Sequence, residues 1–297
     1  MIKRIDEIQD DEIRVIGHSE SGKPTSGKNR WLIILIAAVC CIALGVILWN
    51  VIAPEKEVDV PGVFEPENIV PADSSAREPL VFLGNYTDDT DKAYTEHLKQ
   101  EINDIPLDIY IPHNAKASLS IGTPDIYDKS IVLVTQAADI RADNGKINGA
   151  FVLAGQPMAW GLSKKGYVGI INDTITVGVA DNSPLFEEAT EKGGYFFRQY
   201  ALVDNGQLVE NEPKNKSIRK AICDRGGEIM VVMSETPESF HDFAQALVDL
   251  RVDNAVYLVG ADSYGYFRDK FEHFTQICEK RRGGYKYENY IVWKVAL

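Results

Sequence analysis

The chain has little histidine, little cysteine and little positive charge, and each shortage narrows what it can do. Five histidines and four cysteines are scattered through 297 residues, with no CxxC pair and no HExxH run. Neither a protein metal cage nor a thiol redox motif is therefore expected, and no cofactor either. Lysine and arginine number 31 against 44 aspartates and glutamates, a formal charge of −13. Residues 1–30 carry six of each sign, so the excess acid belongs to the rest of the chain. So acidic a chain is not built to hold nucleic acid, and a polyanionic ligand would need a local basic pocket set against a repulsive background. There is no internal repeat.

One stretch lacks charge altogether. WLIILIAAVCCIALGVILWNVIA, residues 31–53, contains only Asn50 as a strongly polar residue. It exceeds the ~20 apolar residues that carry a helix across a bilayer. Trp31 and Trp49 stand near its ends, where indoles favour the headgroup interface. A cleaved signal peptide fits poorly: the run is longer than a typical apolar h-region of ~7–15 residues, and a long polar segment precedes it. Lys23, Lys28 and Arg30 lie just before the run and Lys56 alone shortly after it. The expected topology is a single-pass signal anchor with the N-terminus cytoplasmic and the C-terminal part extracytoplasmic, periplasmic or cell-surface in a bacterium. Cys40 and Cys41 fall inside the run and read as small apolar packing groups. Cys223 and Cys278 lie beyond it, where a disulfide is permitted but its geometry is not legible.

The organisation that follows is a cytoplasmic tail (1–30), a transmembrane anchor (31–53), a stalk (54–78) holding Pro54, Pro61, Pro66 and Pro71 among acids, and a folded domain (79–297). Within the domain, helix formers over 91–103 suggest an early helix, and 136–142 the start of another. Alternating or β-branched runs predict strands at 107–111, 130–135, 146–153, 169–171, 174–179, 200–203, 228–233, 255–259 and 290–297. Asp204-Asn205-Gly206 reads as a turn. Residues 237–250 read as the clearest helix, capped by Ser234, Thr236 or Ser239, with Phe240, Phe243, Ala244, Ala246, Leu247 and Leu250 on one face. The expected class is α+β, mixed sheets with inserted helices, preceded by a single transmembrane helix.

Three stretches carry chemical information: Ile147-Asn148-Gly149-Ala150-Phe151, Arg219-Lys220-Ala221-Ile222-Cys223 and Asn254 through Ser263, NAVYLVGADS. In order and spacing they resemble the phosphodiester glycosidase family, whose versions read NG-x-F, R-T-A-I-G and N-A-hydrophobic-x-L-D-G-G-x-S. Leu202-Val203-Asp204-Asn205-Gly206 is similar to the family turn ahead of its arginine. The resemblance implies an extracytoplasmic hydrolase that cleaves the C1–O bond of a sugar-1-phosphodiester. It aligns Arg219 with the family arginine and Val259 with the family aspartate, with Lys220 where threonine is usual.

That reaction passes through an oxocarbenium-like transition state and needs a carboxylate near C1. It also needs a cation for the departing phosphate, a role suited to the planar fork of arginine. Arg219 is the candidate cation, with Lys214, Lys216 and Lys220 nearby. Asp262 is the candidate replacement carboxylate; Asp139 and Asp204 are weaker ones, each also explicable as a local cap or turn. Asn148, Gly149, Lys220, Gly260 and Ser263 are candidate substrate-binding residues. Because valine at 259 cannot do the work of a carboxylate, a phosphosugar- or glycan-binding module without activity is the alternative. The expected partners are a sugar-phosphate or glycan ligand and the lipid bilayer through residues 31–53.

Overall fold

The computed structural model describes residues 80–85, 92–260, 263–278 and 284–295. The tail, anchor and stalk expected over residues 1–78 lie outside these, and so does Asp262. Among the described residues no helix is long and apolar enough to cross a membrane. Arg77–Leu297 forms one compact unit.

Three sheets build the domain, with strands numbered in chain order. The largest runs β1 (Tyr94–Ile102), β2 (Ile105–His113), β13 (Glu228–Ser234), β12 (Lys220–Arg225), β14 (Asn254–Leu258), β10 (Ala201–Asp204), β11 (Gln207–Leu208). The second runs β16 (Phe274–Cys278), β15 (Gly265–Arg268), β4 (Ile131–Gln136), β17 (Asn289–Val295), β3 (Ala115–Ile121). The third runs β6 (Gln156–Ala159), β5 (Phe151–Leu153), β9 (Tyr195–Gln199), β7 (Gly166–Ile171), β8 (Thr174–Val179). Among the described residues the helices are α1 (Leu185–Glu191) and α2 (Phe240–Asp249).

The expected α+β class with mixed sheets is thereby overturned: the strands pair antiparallel throughout and helix is a minor component. The early helix over 91–103 is instead β1. Its Glu, Leu, Lys and Gln favour helix by only tenths of a kcal/mol each, and nine residues pair in unbroken register with β2. The hairpin closes at Asn103 and Asp104, whose φ of 53° and 62° are those of the tight turn that matches strand twist. No helix forms at 136–142; only an isolated bridge joins Ile140 to Ile147. The strands expected elsewhere are present, although 146–153 is reduced to Phe151–Leu153.

A shared core joins the inner faces. Tyr110, Ile222, Val231, Val256 and Leu258 of the first sheet meet Leu133, Phe267, Ile291 and Trp293 of the second and Phe151, Val168 and Phe197 of the third. The other face of the first sheet packs under α2, where Phe240, Phe243, Ala244 and Leu247 cover Leu107, Ile109, Ala221, Cys223 and Val232. Cys223 and Cys278 are both free thiols. They sit on opposite faces of the first sheet, Cys223 under α2 and Cys278 beside Met233.

Ser239 caps α2, its hydroxyl accepting from Asp242 N at 3.0 Å. Replacing it by alanine is expected to cost about 1 kcal/mol, read as a lower urea midpoint at unchanged slope.

Candidate functional site

The site grows out of the end of β4. Six buried residues carry the chain to Ala137 and Ala138 in the interior, and three hydrogen bonds hold it there. Ala137 N donates to Asn289 O at 3.0 Å, Ala138 N to Asn289 Oδ1 at 2.7 Å, and Asn289 Nδ2 to Ala138 O at 3.1 Å. Ala137 O in turn accepts Val259 N at 3.3 Å. The clamp delivers Asp139 to the surface, where its carbonyl accepts Asn148 N at 2.8 Å. One side of the second sheet thus brings together Asp139, the NG-x-F element and the end of β14.

Lys164 supplies the cation. The residue is 5% exposed, yet its ammonium lies 3.2 Å from Asp139 Oδ2 and donates at 2.9 Å to Gln199 Oε1. It also stands 3.2 Å from the centroid of the Tyr200 ring. A buried ammonium requires such partners, because removing it from water costs several kcal/mol. Lys164, Tyr200, Asn148, Ser163 and Asn211 line a groove of 500 Å³. The Asp139 carboxylate, 31% exposed, is therefore accessible and held against that groove's lysine.

Arg219 is not among this groove's lining residues. It is 3% exposed, its Nε donating to Glu238 O at 2.8 Å and its Nη2 to Asn215 O. The guanidinium carbon lies 4.0 Å from the centre of the Phe240 ring. It also lies 6.0 Å from the centre of the Tyr257 ring, whose hydroxyl is close to Gly260. Burial and the Asp139 charge raise the Tyr257 pKa, with Arg219 opposing, so the phenol stays protonated at neutral pH. Lys214 and Lys216 pair with Glu210 and Glu238 on the surface.

The other candidate residues divide. Asn148 lines the groove. Gly149 is buried with φ +107°, and a Cβ there would stand 3.1 Å from Arg198 O, so its role includes backbone fit. Gly260 is tighter still, a Cβ falling 2.2 Å from Ile218 O, one residue before Arg219. Gly260→Ala is expected to destabilise by roughly 2 kcal/mol and to disturb Arg219, visible in a denaturant melt. Lys220 and Ser263 are fully buried, Lys220 Nζ donating to Ser263 Oγ at 2.7 Å and Ser263 Oγ to Gly260 O at 2.5 Å. Burial pushes the Lys220 pKa from 10.5 down to about 8. The pair lies in the core between sheets and does not line the Asn148 groove.

Sequence reasoning missed Lys164, Gln199 and Tyr200, which stand in no motif. It ranked Asp139 low because a carboxylate after a buried strand is most often a turn residue.

No protein-family model matches the chain, and no curated protein does. Among solved structures it is similar to the catalytic domain of zebrafish N-acetylglucosamine-1-phosphodiester alpha-N-acetylglucosaminidase, auto-inhibited by its pro-peptide. That likeness has a TM-score of 0.46 at 11% identity over 68% of this chain and 82% of that one. It is also similar to a hypothetical protein from Synechocystis, with a TM-score of 0.49 at 13% identity over 67% and 62% of the two chains. Neither likeness carries the chemistry of those proteins to this chain.

Proposed function

We propose that the chain is a membrane-anchored, extracytoplasmic phosphodiester glycosidase that hydrolyses the sugar C1–O bond of a sugar-1-phosphodiester. The observation that carries this reading is the Asp139 carboxylate, held 3.2 Å from Lys164, which lines the groove together with Asn148. It supplies the acid that Val259 cannot, beside a cation suited to a phosphate. Of the three motif stretches, NG-x-F reaches the groove through Asn148.

In the reaction the C1–O electron pair departs with the phosphate oxygen, and Lys164 balances the charge that grows there. Asp139 faces the positive charge that develops at C1. Water adds its oxygen to C1, and its proton is released. The leaving group is a weak base, so it needs little protonation. Arg219, outside the groove, is a positioning residue packed on Phe240 and near Tyr257. Asn148 pairs with sugar hydroxyls, since its amide both donates and accepts. Asp262 is retained as a second carboxylate, next in sequence to the buried Ser263. Residues 31–53 anchor the chain and residues 54–78 set its distance from the bilayer.

The test is turnover by the full-length chain, solubilised in detergent, across a panel of sugar-1-phosphodiesters. Release of free sugar from at least one supports the reading. Binding that depends on Lys164 without any release supports the alternative, a phosphosugar-binding module.

A further inference from the structure

A second groove, of 630 Å³, lies on the other side of the NG-x-F element. Trp160, Leu162, Asn182, Phe186, Glu187 and Arg198 are among its lining residues. The two grooves share a wall. Leu162 faces the second while Ser163 and Lys164 face the first, and Ala150 faces the second while Asn148 faces the first.

Arg198 makes this groove chemically specific. The residue is 2% exposed, and Nη1 alone satisfies two carbonyls, Lys164 O at 2.7 Å and Ala180 O at 2.9 Å. Among the described residues no carboxylate forms an ion pair with it; Asp181, whose charge it feels, pairs instead with Lys165 at 3.0 Å. Burial lowers its pKa, the mark of a cation short of compensation. A buried charge without a counter-ion is costly, and an incoming anion relieves that cost.

Trp160 makes it specific for shape. Its ring is 67% exposed and Leu162 is 62% exposed, although each belongs to the segment that leads into buried Lys164. An exposed indole beside Asn182 and Glu187 offers an apolar face for a sugar ring, with a donor and acceptors for its hydroxyls.

We propose that this groove is a subsite for an acidic saccharide, the ring stacking on Trp160 and its carboxylate or phosphate pairing with Arg198. The saccharide nature of the ligand rests on the proposed function; the anion site does not. An acidic unit flanking the scissile bond would occupy it while the reacting sugar lies against Asn148.

The test is titration of the full-length chain in detergent with glucuronate, glucose 1-phosphate, methyl glucoside and inorganic phosphate, followed by tryptophan fluorescence and calorimetry. Both acidic sugars are expected to bind, with methyl glucoside weaker by about tenfold or more. Trp160→Ala, a surface change, removes the fluorescence response and weakens both acidic sugars by about tenfold. Arg198→Lys weakens them while preserving the charge, because ammonium cannot reproduce the fork. Because Trp160 lines this groove and not the one lined by Asn148, its fluorescence response separates the subsite from catalysis even if no substrate turns over. Equal binding of methyl glucoside overturns the anion site, and phosphate binding as tightly as glucose 1-phosphate overturns the sugar face. Binding insensitive to Trp160→Ala overturns the location.

Discussion

Asp139→Asn lowers kcat for a sugar-1-phosphodiester by about a thousandfold, with KM changed far less. Asparagine preserves the shape of the side chain and removes only its charge. If the carboxylate faces the cationic transition state, that charge is needed there and hardly at all in the ground state, so the loss falls on kcat. Two alternatives give other patterns. A carboxylate that only orients Lys164 weakens binding of the phosphate and raises KM. One that only stabilises the fold lowers the melting temperature and leaves the activity of the folded fraction intact. The Lys164 ammonium is 5% exposed, so loss of its carboxylate leaves a buried charge held by Gln199 and Tyr200 and should cost more than the about 1 kcal/mol of a surface pair. Asp262→Asn in the same assay assigns the second carboxylate: a comparable loss gives the site two acids, and little loss leaves Asp139 alone.

Lys220→Met is expected to stabilise the protein near neutral pH, against the usual direction for a core substitution. The Lys220 ammonium is fully buried, with Ser263 Oγ as its hydrogen-bond partner. Its pKa falls from 10.5 to about 8, with desolvation the main cause and Cys278 opposing it. A shift of that size corresponds to roughly 3 kcal/mol of native-state penalty. Methionine removes the penalty and forfeits one hydrogen bond, about 1 kcal/mol, because Ser263 still donates to Gly260 O. The net gain is about 2 kcal/mol.

The sign of the pH dependence follows from the protons bound. Below pH 8 both folded and unfolded chains keep the lysine proton and the penalty is complete. Between 8 and 10.5 the unfolded chain binds more, so wild-type stability rises with pH and the advantage of the variant shrinks. Buried Tyr266 and Tyr290, pushed up to about 12, act in the opposite sense at the alkaline end. They act alike in both proteins, so the difference between the two urea curves isolates Lys220. A variant less stable than wild type at pH 7, or an advantage independent of pH, contradicts the buried-cation account.

Much of the sheet framework was legible because burial writes itself into alternation and β-branching: residues 130–135, 228–233 and 255–259 all became strands. The helix at 240–249 was legible from its apolar face and its Ser239 cap. Residues 91–103 were not, because Glu, Leu, Lys and Gln carry a local preference that nine cross-strand pairs with the next strand override. The short helix over 185–191 left no clear periodic signal. Asn148, Arg219 and Gly260 could be found as motif members. Lys164 could not, because a lysine in the polar run Ser163-Lys164-Lys165 reads as surface until Asp139, Gln199 and Tyr200 enclose it. Lys220 likewise looked like part of a basic turn, yet strand alternation turns it into the core with Ile222.

The central claim is that the bond broken lies on the sugar side of the phosphodiester oxygen. The most direct measurement is hydrolysis in water enriched in oxygen-18, with mass analysis of the phosphomonoester product. The account predicts that the phosphomonoester carries no label, since water adds to C1 and the bridging oxygen leaves with phosphorus. Label in the phosphate would mean attack at phosphorus, and a different enzyme.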